Sequence, residues 1–261
     1  MKAKPQNELA NSALFVLASL LTGLMSALAF CYVWAKGRQE SPKSKVKKPT
    51  AFLADKLRAL NFYRVFSAAY DILNPHLYTD SMRAEAVSLF SHSAHLRVLD
   101  VGCGTGYTTV GILDGSDACE VIGLDMNPRQ LHRAAQKLKP ERVRTSLSRG
   151  DAENLPFQDA TFDAVVSVGA VEYFPDPEKA LSEMARVAKA NGKVVVGGPE
   201  YNWFRRVALH RFFYTPSRAE MEFLFEAAGL ADVHSSMTGV KTFLGTSVYV
   251  VLAAGTKPAA S

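Results

Sequence analysis

Cysteine is scarce in this chain: only Cys31, Cys103 and Cys119 occur among its 261 residues. An odd number of cysteines without a C-x-x-C pair supports neither a disulfide framework nor a structural zinc site. We therefore expect reduced thiols, as in a cytosol-like compartment. The chain is 48% hydrophobic, which is too apolar for a disordered protein and sufficient for a folded domain without cross-links.

An excess of basic over acidic residues is missing from most of the chain, although the net charge is +5. The excess lies in one short stretch, whose basic residues are Lys36, Arg38, Lys43, Lys45, Lys47 and Lys48. The remainder has no basic face with interleaved aromatic residues, so nucleic acid is not expected as a partner. Ser41-Pro42 and Lys48-Pro49 indicate that residues 36–50 form a basic linker.

Charged residues are absent from Leu9 to Ala35. A helix of about 20 apolar residues crosses a hydrocarbon core of about 30 Å, and Tyr32 and Trp34 lie where aromatic rings favour the interface. We therefore expect residues 1–35 to provide an uncleaved N-terminal membrane anchor. Two alternatives stay open: a helix buried in a protein core, and a signal peptide cleaved after Ala27-Leu28-Ala29.

The flanks of this apolar run predict its orientation. Lys2 and Lys4 precede the run, whereas the denser basic cluster follows it, and basic residues favour the cytosolic side. We expect a single-pass membrane protein with its catalytic domain on the cytosolic or an equivalent side. Residues 9–35 would contact the lipid bilayer, and the basic cluster would be attracted to anionic headgroups.

Beyond the linker, helical patterns give way to alternating strands and helices. Helices at Phe52–Phe66 and Asp80–Phe90 would form an N-terminal helical cap over residues 51–95. Short apolar runs then predict strands at Arg97–Val101, Glu120–Leu124, Arg144–Gly150, Phe162–Val168 and Lys193–Gly197. Helical periodicity predicts helices at Thr108–Leu113, Pro128–Leu138, Pro177–Lys189 and Glu220–Ala228. This alternation favours an α/β domain with a parallel sheet over residues 96–255, closed by an antiparallel hairpin of Val233–Met237 and Thr246–Ala253.

The first strand leads into a glycine loop whose spacing differs from that of a dinucleotide site. Counting from Gly102, the sixth position is Tyr107 rather than the glycine that G-x-G-x-x-G requires. The register is instead D-x-G-x-G-x-G, formed by Asp100 with Gly102, Gly104 and Gly106. It suits the amino-acid end and ribose of S-adenosylmethionine, which has no pyrophosphate to cradle.

Two further acids follow the next strands. Asp125 ends the second strand, where a carboxylate can accept both ribose hydroxyls of an adenosyl group. Asp151 follows the third strand, where it can accept the adenine amino group while the Ala152 amide donates to the ring. Ligands of open α/β sheets bind at these carboxyl ends of strands, so the acids are expected to share one site.

These segments resemble class I S-adenosylmethionine-dependent methyltransferases over about residues 50–255. The resemblance rests on Val98–Gly106, Val121–Asp125, Gly150–Phe157 and Phe162–Ser167. It implies a Rossmann-like α/β fold, with a seven-stranded, mostly parallel sheet whose last strand is antiparallel, and S-adenosyl-L-methionine as the cofactor. The predicted cofactor-binding residues are Tyr70, Asp100, Gly102, Cys103, Gly104, Gly106, Asp125, Met126, Asp151, Ala152 and Val168. No metal site is predicted.

A narrower resemblance is to the membrane-bound methyltransferases of 2-methyl-6-phytyl- and solanesyl-benzoquinols, in the ubiquinone/menaquinone C-methyltransferase branch. It rests on Phe62-Tyr63-Arg64, Tyr70-Asp71, Asn74-Pro75, Met82-Arg83, Val171–Pro177 and Gly198–Tyr201. It implies a lipophilic acceptor, a prenylated quinol. Two alternatives remain: another lipid or hydrophobic small molecule such as a sterol, phospholipid or thiol, and a non-catalytic binding protein that keeps the fold.

Methylation of a ring carbon is helped by a base or hydrogen-bond acceptor near the ring hydroxyl. Glu172 and Tyr173 follow the fourth strand and are the candidate catalytic residues, with a structural hydrogen bond as the alternative role of Glu172. His76 and His210 are further candidates. The aromatic segment from Tyr201 to Tyr214, with Trp203 and Phe212, is expected to be either an apolar entrance for a prenylated ring or ordinary packing against the sheet.

Overall fold

The computed structural model describes residues 51, 53–63, 80–90, 95–115, 120–199, 214–241 and 247–259. The predicted anchor and basic linker lie outside these residues, as do Tyr70, His76, His210 and the aromatic segment up to residue 213. Within the described ranges, no helix has the length and apolar character needed to cross a membrane.

Seven strands form one mixed sheet in the order β3-β2-β1-β4-β5-β7-β6. Their bounds are β1 Arg97–Val101, β2 Glu120–Asp125, β3 Thr145–Arg149, β4 Phe162–Val168, β5 Ala188–Pro199, β6 Ala231–Lys241 and β7 Ser247–Thr256. Strands β1 to β5 pair in parallel, whereas β7 runs antiparallel to both β5 and β6. The predicted seven-stranded sheet with an antiparallel last strand is therefore confirmed.

The central strands are apolar on both faces because helices cover the sheet on both sides. Val98 and Val166 point into one hydrophobic core, whereas Leu99 and Val165 point into the other. Side chains alternate between the faces along each strand, so a continuous run such as Phe162–Val168, nearly all of it buried, fills both cores at once.

Six α-helices connect or flank the strands in the described residues. They are α1 at 56–63, α2 Asp80–Ser88, α3 Tyr107–Asp114, α4 Pro128–Lys137, α5 Pro177–Val187 and α6 Arg218–Ala227. Helices α2, α3 and α4 contribute side chains to one core, and α5 and α6 contribute to the other. Helices α4 and α5 each begin with proline after a capping side chain, Asn127 and Asp176, which accepts a backbone N–H of the first turn.

The first helix differs from its prediction. Residues 53–55 form a turn, and α1 begins at residue 56, where the sequence predicted a helix from Phe52. Leu53 is fully buried, but Leu57 has 68% of its surface exposed. The leucine spacing that predicted one apolar helical face therefore combined a buried turn residue with an exposed helix residue.

Strand β5 also begins earlier than predicted. It starts at Ala188, directly after α5 ends at Val187, whereas the prediction had the helix continue to Lys189 and the strand begin at Lys193. Asn191 has a left-handed φ of 61°, and its N–H donates to the Lys257 carbonyl at 2.8 Å. The pairing of β4 with β5 shifts register between Phe162 and Ala164, so an irregularity absorbs these extra residues.

Candidate cofactor site

A cavity of about 740 Å³ opens at the carboxyl ends of the parallel strands. Its walls come from the loops that follow β1, β2, β3 and β4, together with α1. Strands β2 and β3 lie on one side of β1, and β4 lies on the other, so the cavity lies at the point where the strand order reverses. This is where open α/β sheets bind their ligands.

The glycine loop forms the wall after β1. Gly102 has a φ of 72°, a conformation that side chains rarely adopt. A Cβ at this position would lie 2.4 Å from the Cβ of Ala170, because the loop after β4 passes close by. The N–H groups of Gly102 and Cys103 both donate to the Leu124 carbonyl, at 2.7 and 2.9 Å. The loop is therefore fixed against the end of β2.

Asp100 lies almost wholly buried beneath this loop, with 1% of its surface exposed. Its Oδ2 accepts the Thr109 hydroxyl at 2.6 Å, whereas its Oδ1 has no hydrogen-bond partner among the described residues. Burial, aided by the nearby Asp125 carboxylate, raises the pKa of Asp100 to about 7. A cationic ligand group would relieve this cost by compensating the buried charge.

Asp125 ends β2 and lines the cavity. Its Oδ2 accepts the Gly104 N–H at 2.9 Å, and its Oδ1 accepts the Asn127 N–H at 2.7 Å. These bonds aim the carboxylate, and burial nevertheless raises its pKa to about 6. An ionised carboxylate has about four acceptor positions, so Asp125 retains capacity to accept ligand hydroxyls.

Asp151 follows β3 and lies in an ion-pair cluster that the sequence did not predict. Lys56 Nζ of α1 lies 2.6 Å from Asp151 Oδ2 and 2.7 Å from Glu153 Oε2. Burial opposes the charge on Lys56, but the hydrogen bonds and charges of both acids raise its pKa. The N–H of Glu153 also donates to Asp151 Oδ1 at 3.0 Å. The loop after β3 is thus tied to α1 across the cavity.

The residues after β4 divide between the cavity and the core. Tyr173 lines the cavity, and its ring meets the Tyr63 ring of α1 edge-to-face with centroids 5.2 Å apart. Glu172 is 2% exposed and is not among the residues that line the cavity. Its carbonyl accepts the Tyr214 N–H at 3.2 Å.

The other predicted cofactor residues have different positions. Met126 and Ala152 line the cavity with Gly102, Gly104, Asp125 and Asp151. Cys103 is buried beneath the loop, where burial raises the pKa of its thiol well above the usual value. Gly106 lies against Ala134 of α4. Val168 lies in the core, and the next residues, Gly169 and Ala170, line the cavity instead.

Several cavity residues were absent from the sequence prediction. They are Lys56, Tyr63, Asn127, Gln130 and Glu153. Glu153 had a signal, since it lies two residues after Asp151 in the same loop. Lys56 comes from a helix distant in the chain and had none, whereas Tyr63 belongs to the Phe62-Tyr63-Arg64 segment of the narrower resemblance but was given no role in the site.

The site therefore combines three carboxylates, a glycine loop and an apolar, aromatic wall. Residues 99–196 match the family described as a methyltransferase domain. Across 234 residues the chain is 36% identical to 2-methyl-6-phytyl-1,4-hydroquinone methyltransferase of Arabidopsis thaliana, which aligns 85% of this chain with 68% of that protein. The chain belongs to the S-adenosylmethionine-dependent methyltransferases.

Two other comparisons agree with this family. A 2-methyl-6-phytyl-1,4-hydroquinone methyltransferase of Oryza sativa subsp. japonica is 38% identical over 200 residues, which are 74% of this chain and 59% of that protein. The chain thus spans less than two thirds of the length of this relative. A phosphoethanolamine N-methyltransferase of Haemonchus contortus, solved with S-adenosyl-L-methionine, has the same fold with a TM-score of 0.59 at 18% identity, over 72% of this chain and 60% of that one.

S-adenosyl-L-methionine is the methyl donor of this family, and the residues present fit it. The buried Oδ1 of Asp100 has no partner in the described part of the chain, which suits a cationic amino group. Asp125 reaches the cavity with acceptor capacity for hydroxyls. The close approach of Gly102 to Ala170 leaves the loop backbone, rather than a side chain, to meet the ligand.

Proposed function

We propose that this methyltransferase C-methylates a prenylated hydroquinol at a membrane surface. The main support is its sequence similarity to the hydroquinone methyltransferases of rice and Arabidopsis, at 38% and 36% identity over 74% and 85% of this chain. The aromatic wall of the cavity, with Tyr63, Tyr173 and Phe174, supports an apolar ring as the acceptor.

The proposed cofactor contacts follow from the order of the strands. Asp100 balances the positive charge of the cofactor's amino group, and Asp125 accepts hydrogen bonds from its ribose hydroxyls. Asp151 and the Ala152 N–H hold the adenine ring beside Met126. Gly102 and Gly104 supply the close backbone wall, while Cys103, Gly106 and Val168 support it from beneath. Tyr70 remains a proposed contact from outside the described residues.

The chemistry requires alignment and a dry site more than acid–base strength. When bound, the cofactor supplies an electrophilic methyl group on a sulfonium. An ionised ring hydroxyl would make the adjacent ring carbon nucleophilic toward that methyl group, and loss of that carbon's own proton would restore the aromatic ring. The protein must hold the ring carbon in line with the methyl group and exclude water.

Tyr173 is the proposed acceptor contact because it lines the cavity and is packed by Tyr63. Its hydroxyl would hydrogen-bond the ring hydroxyl that ionises. Glu172 is the second candidate; its burial favours the alternative in which it supports the turn. Tyr173→Phe should lower kcat about tenfold or more without weakening cofactor affinity, since general acid–base groups contribute about 10²–10⁴-fold.

The test is a product analysis with the full chain in detergent. The protein is incubated with methyl-labelled S-adenosylmethionine and 2-methyl-6-phytyl-hydroquinol, and separately with a mixture of phospholipids and sterols. Label on a ring carbon of the quinol is expected. Label confined to a phospholipid or sterol would overturn the proposed acceptor.

A cofactor-site variant provides the control for that assay. Asp125→Ala should abolish turnover of every acceptor together with cofactor binding, while circular dichroism remains that of a folded protein. Turnover that survives this substitution would indicate a contaminating methyltransferase.

A further inference from the structure

Two buried amide side chains lie at the start of α4 and line the same cavity as Asp125. Asn127 caps the helix and Gln130 is in its first turn, and both line the cavity. Only 6% of Asn127 and 3% of Gln130 is exposed. Asn127 Nδ2 and Gln130 Oε1 have no hydrogen-bond partner among the described residues.

A partnerless polar atom in a buried position is costly and is usually satisfied by water or a ligand. Asn127 is fixed in place: its N–H donates to Asp125 Oδ1 at 2.7 Å, and its Oδ1 accepts the Arg129 N–H at 2.9 Å. These bonds engage the oxygen of its amide and leave the NH₂ group as the available donor. Helical side chains lean toward the N-terminus of their helix, which directs Gln130 toward Asp125.

The ribose of an adenosyl group has two adjacent hydroxyls, and each both donates and accepts hydrogen bonds. A carboxylate such as Asp125 can only accept, so it satisfies half of what the diol needs. An amide supplies both donors and an acceptor. The terminal torsion of glutamine is broad, so its amide can turn to present either its oxygen or its NH₂ group.

We infer that Gln130, with Asn127, forms the amide half of the ribose site and completes the hydrogen bonding of the cofactor's ribose hydroxyls. Asp125 and the Gln130 oxygen accept from the diol, and the Asn127 NH₂ group donates to a hydroxyl oxygen. The inference rests on the proposed role of Asp125 and is independent of the methyl acceptor.

The test measures binding of S-adenosylhomocysteine and of its 2′-deoxy and 3′-deoxy analogues by calorimetry. Gln130→Met keeps the length of the side chain and removes the amide. Gln136→Met is the matched control, because Gln136 lies exposed near the end of the same helix. The thermal midpoint of each ligand-free variant verifies folding, and Gln130→Leu replaces Gln130→Met if the latter does not fold.

The expected result is a loss that depends on the ligand's hydroxyls. Gln130→Met should weaken S-adenosylhomocysteine about tenfold, which corresponds to about 1.4 kcal/mol. At least one deoxy analogue should lose less than about twofold, and Gln136→Met should bind all three ligands as the unaltered chain does.

Three outcomes overturn the inference. The first is an equal loss for S-adenosylhomocysteine and both deoxy analogues, which indicates a structural role. The second is no loss for any ligand, which indicates that water alone satisfies the amide. The third needs no variant: the unaltered chain binds all three ligands equally. Failure of quinol turnover with a hydroxyl-dependent loss at Gln130 would refute the proposed acceptor and leave this inference standing.

Discussion

At the scale of single residues, the cofactor site holds acids that are unfavourably buried in the ligand-free protein. Burial raises the pKa of Asp100 to about 7 and that of Asp125 to about 6, against 3.8 for an ordinary aspartate. The folded protein therefore retains protons that the unfolded chain releases. Binding of a cofactor with a cationic amino group favours the ionised acids, so binding and pH are linked.

We predict opposite pH dependences for stability and for cofactor affinity. Between about pH 4 and pH 7, Asp100 and Asp125 hold more protons in the folded state than in the unfolded chain, so their contribution makes the free energy of unfolding of the ligand-free protein fall as pH rises. Affinity for S-adenosylmethionine should instead increase from pH 5.5 to pH 7.5, as Asp100 and Asp125 ionise. Urea unfolding and calorimetry at the two pH values measure both quantities.

Asp100→Asn provides the control for this linkage. The amide cannot ionise, so the variant should lose the contribution of Asp100 to the pH dependence of stability and bind the cofactor weakly at both pH values. Equal cofactor affinity of the unaltered chain at pH 5.5 and 7.5 would contradict the proposed role of the buried acids.

A second residue-scale prediction compares two glycines with almost the same backbone conformation. Gly102 has a φ of 72° and Gly229 a φ of 75°, but a Cβ at Gly102 would lie 2.4 Å from Ala170 Cβ, whereas a Cβ at Gly229 meets nothing within 4 Å. Gly229→Ala should cost only the left-handed strain, about 1–2 kcal/mol. Gly102→Ala adds overpacking of about 1–3 kcal/mol.

Urea unfolding distinguishes the two substitutions, and cofactor binding provides a second measurement. Gly102→Ala should displace the glycine loop and weaken the cofactor at least tenfold, whereas Gly229→Ala should leave affinity unchanged. Equal destabilisation by both substitutions would show that the contact with Ala170 relaxes freely.

At the scale of elements, α1 connects two parts of the cavity. Lys56, at the start of the helix, forms ion pairs with Asp151 and Glu153 in the loop after β3. Tyr63, at the end of the helix, packs against Tyr173 after β4. The proposed adenine contact and the proposed acceptor contact are therefore both packed by one short helix. A ligand in the cavity would therefore lie against α1 as well as against both loops.

We predict that Lys56→Met makes α1 more mobile but changes the free energy of unfolding of the whole protein only slightly. The ion pairs are partly exposed, with 37% of the Lys56 side chain accessible, and such pairs contribute about 0–1 kcal/mol. Hydrogen exchange of residues 56–63 should accelerate, and the cofactor should dissociate faster because the helix covers its site. Both rates are measured with and without the cofactor.

Salt provides the matching control for Lys56. About 1 M salt shortens the Debye length to about 3 Å, so the unaltered chain in high salt should approach the exchange rate of Lys56→Met, and the variant should respond little. Unchanged exchange in the variant at low salt would show that Tyr63 and the buried Leu53 hold α1 without the ion pairs.

The bounds of some strands and helices agree with the prediction from the sequence, whereas others do not. Strands β1 and β4 lie at their predicted bounds, because both are short, mostly apolar segments that end directly before a glycine, Gly102 and Gly169. Helix α1 begins later than predicted. The prediction included Leu53 because its spacing to the next leucines fits a helix, but Leu53 is a buried turn residue. The ion pairs of Lys56 had no signal, since Lys56 and Asp151 lie 95 positions apart in the chain and meet only through tertiary packing.

At the scale of the whole molecule, topology explains why a site could be predicted from so few residues. Parallel strands bring their carboxyl ends to one edge, so acids near the ends of β1 and β2 and directly after β3 must meet there. Asp125 and Asp151 accordingly line one cavity, with Asp100 buried beneath its glycine loop. The amides of Asn127 and Gln130 were missed because polar residues in the first turn of a helix usually serve as caps or face solvent.

The last prediction concerns how the methyltransferase domain is held at a membrane. We propose that residues 9–35 anchor the chain, since a run without charge followed by a basic cluster is typical of a membrane helix with a cytosolic C-terminal side. Deletion of residues 1–35 should leave affinity for S-adenosylhomocysteine unchanged, because the described residues that line the cavity lie between Lys56 and Pro175. Turnover of a phytylated quinol embedded in vesicles should fall about tenfold or more, whereas turnover of a tail-less quinol in solution should not change, because only the first substrate requires the enzyme to be held at the bilayer. Equal turnover of vesicle-bound quinol by both chains, with the shortened chain recovered in the supernatant after sedimentation, would contradict the anchor's proposed role.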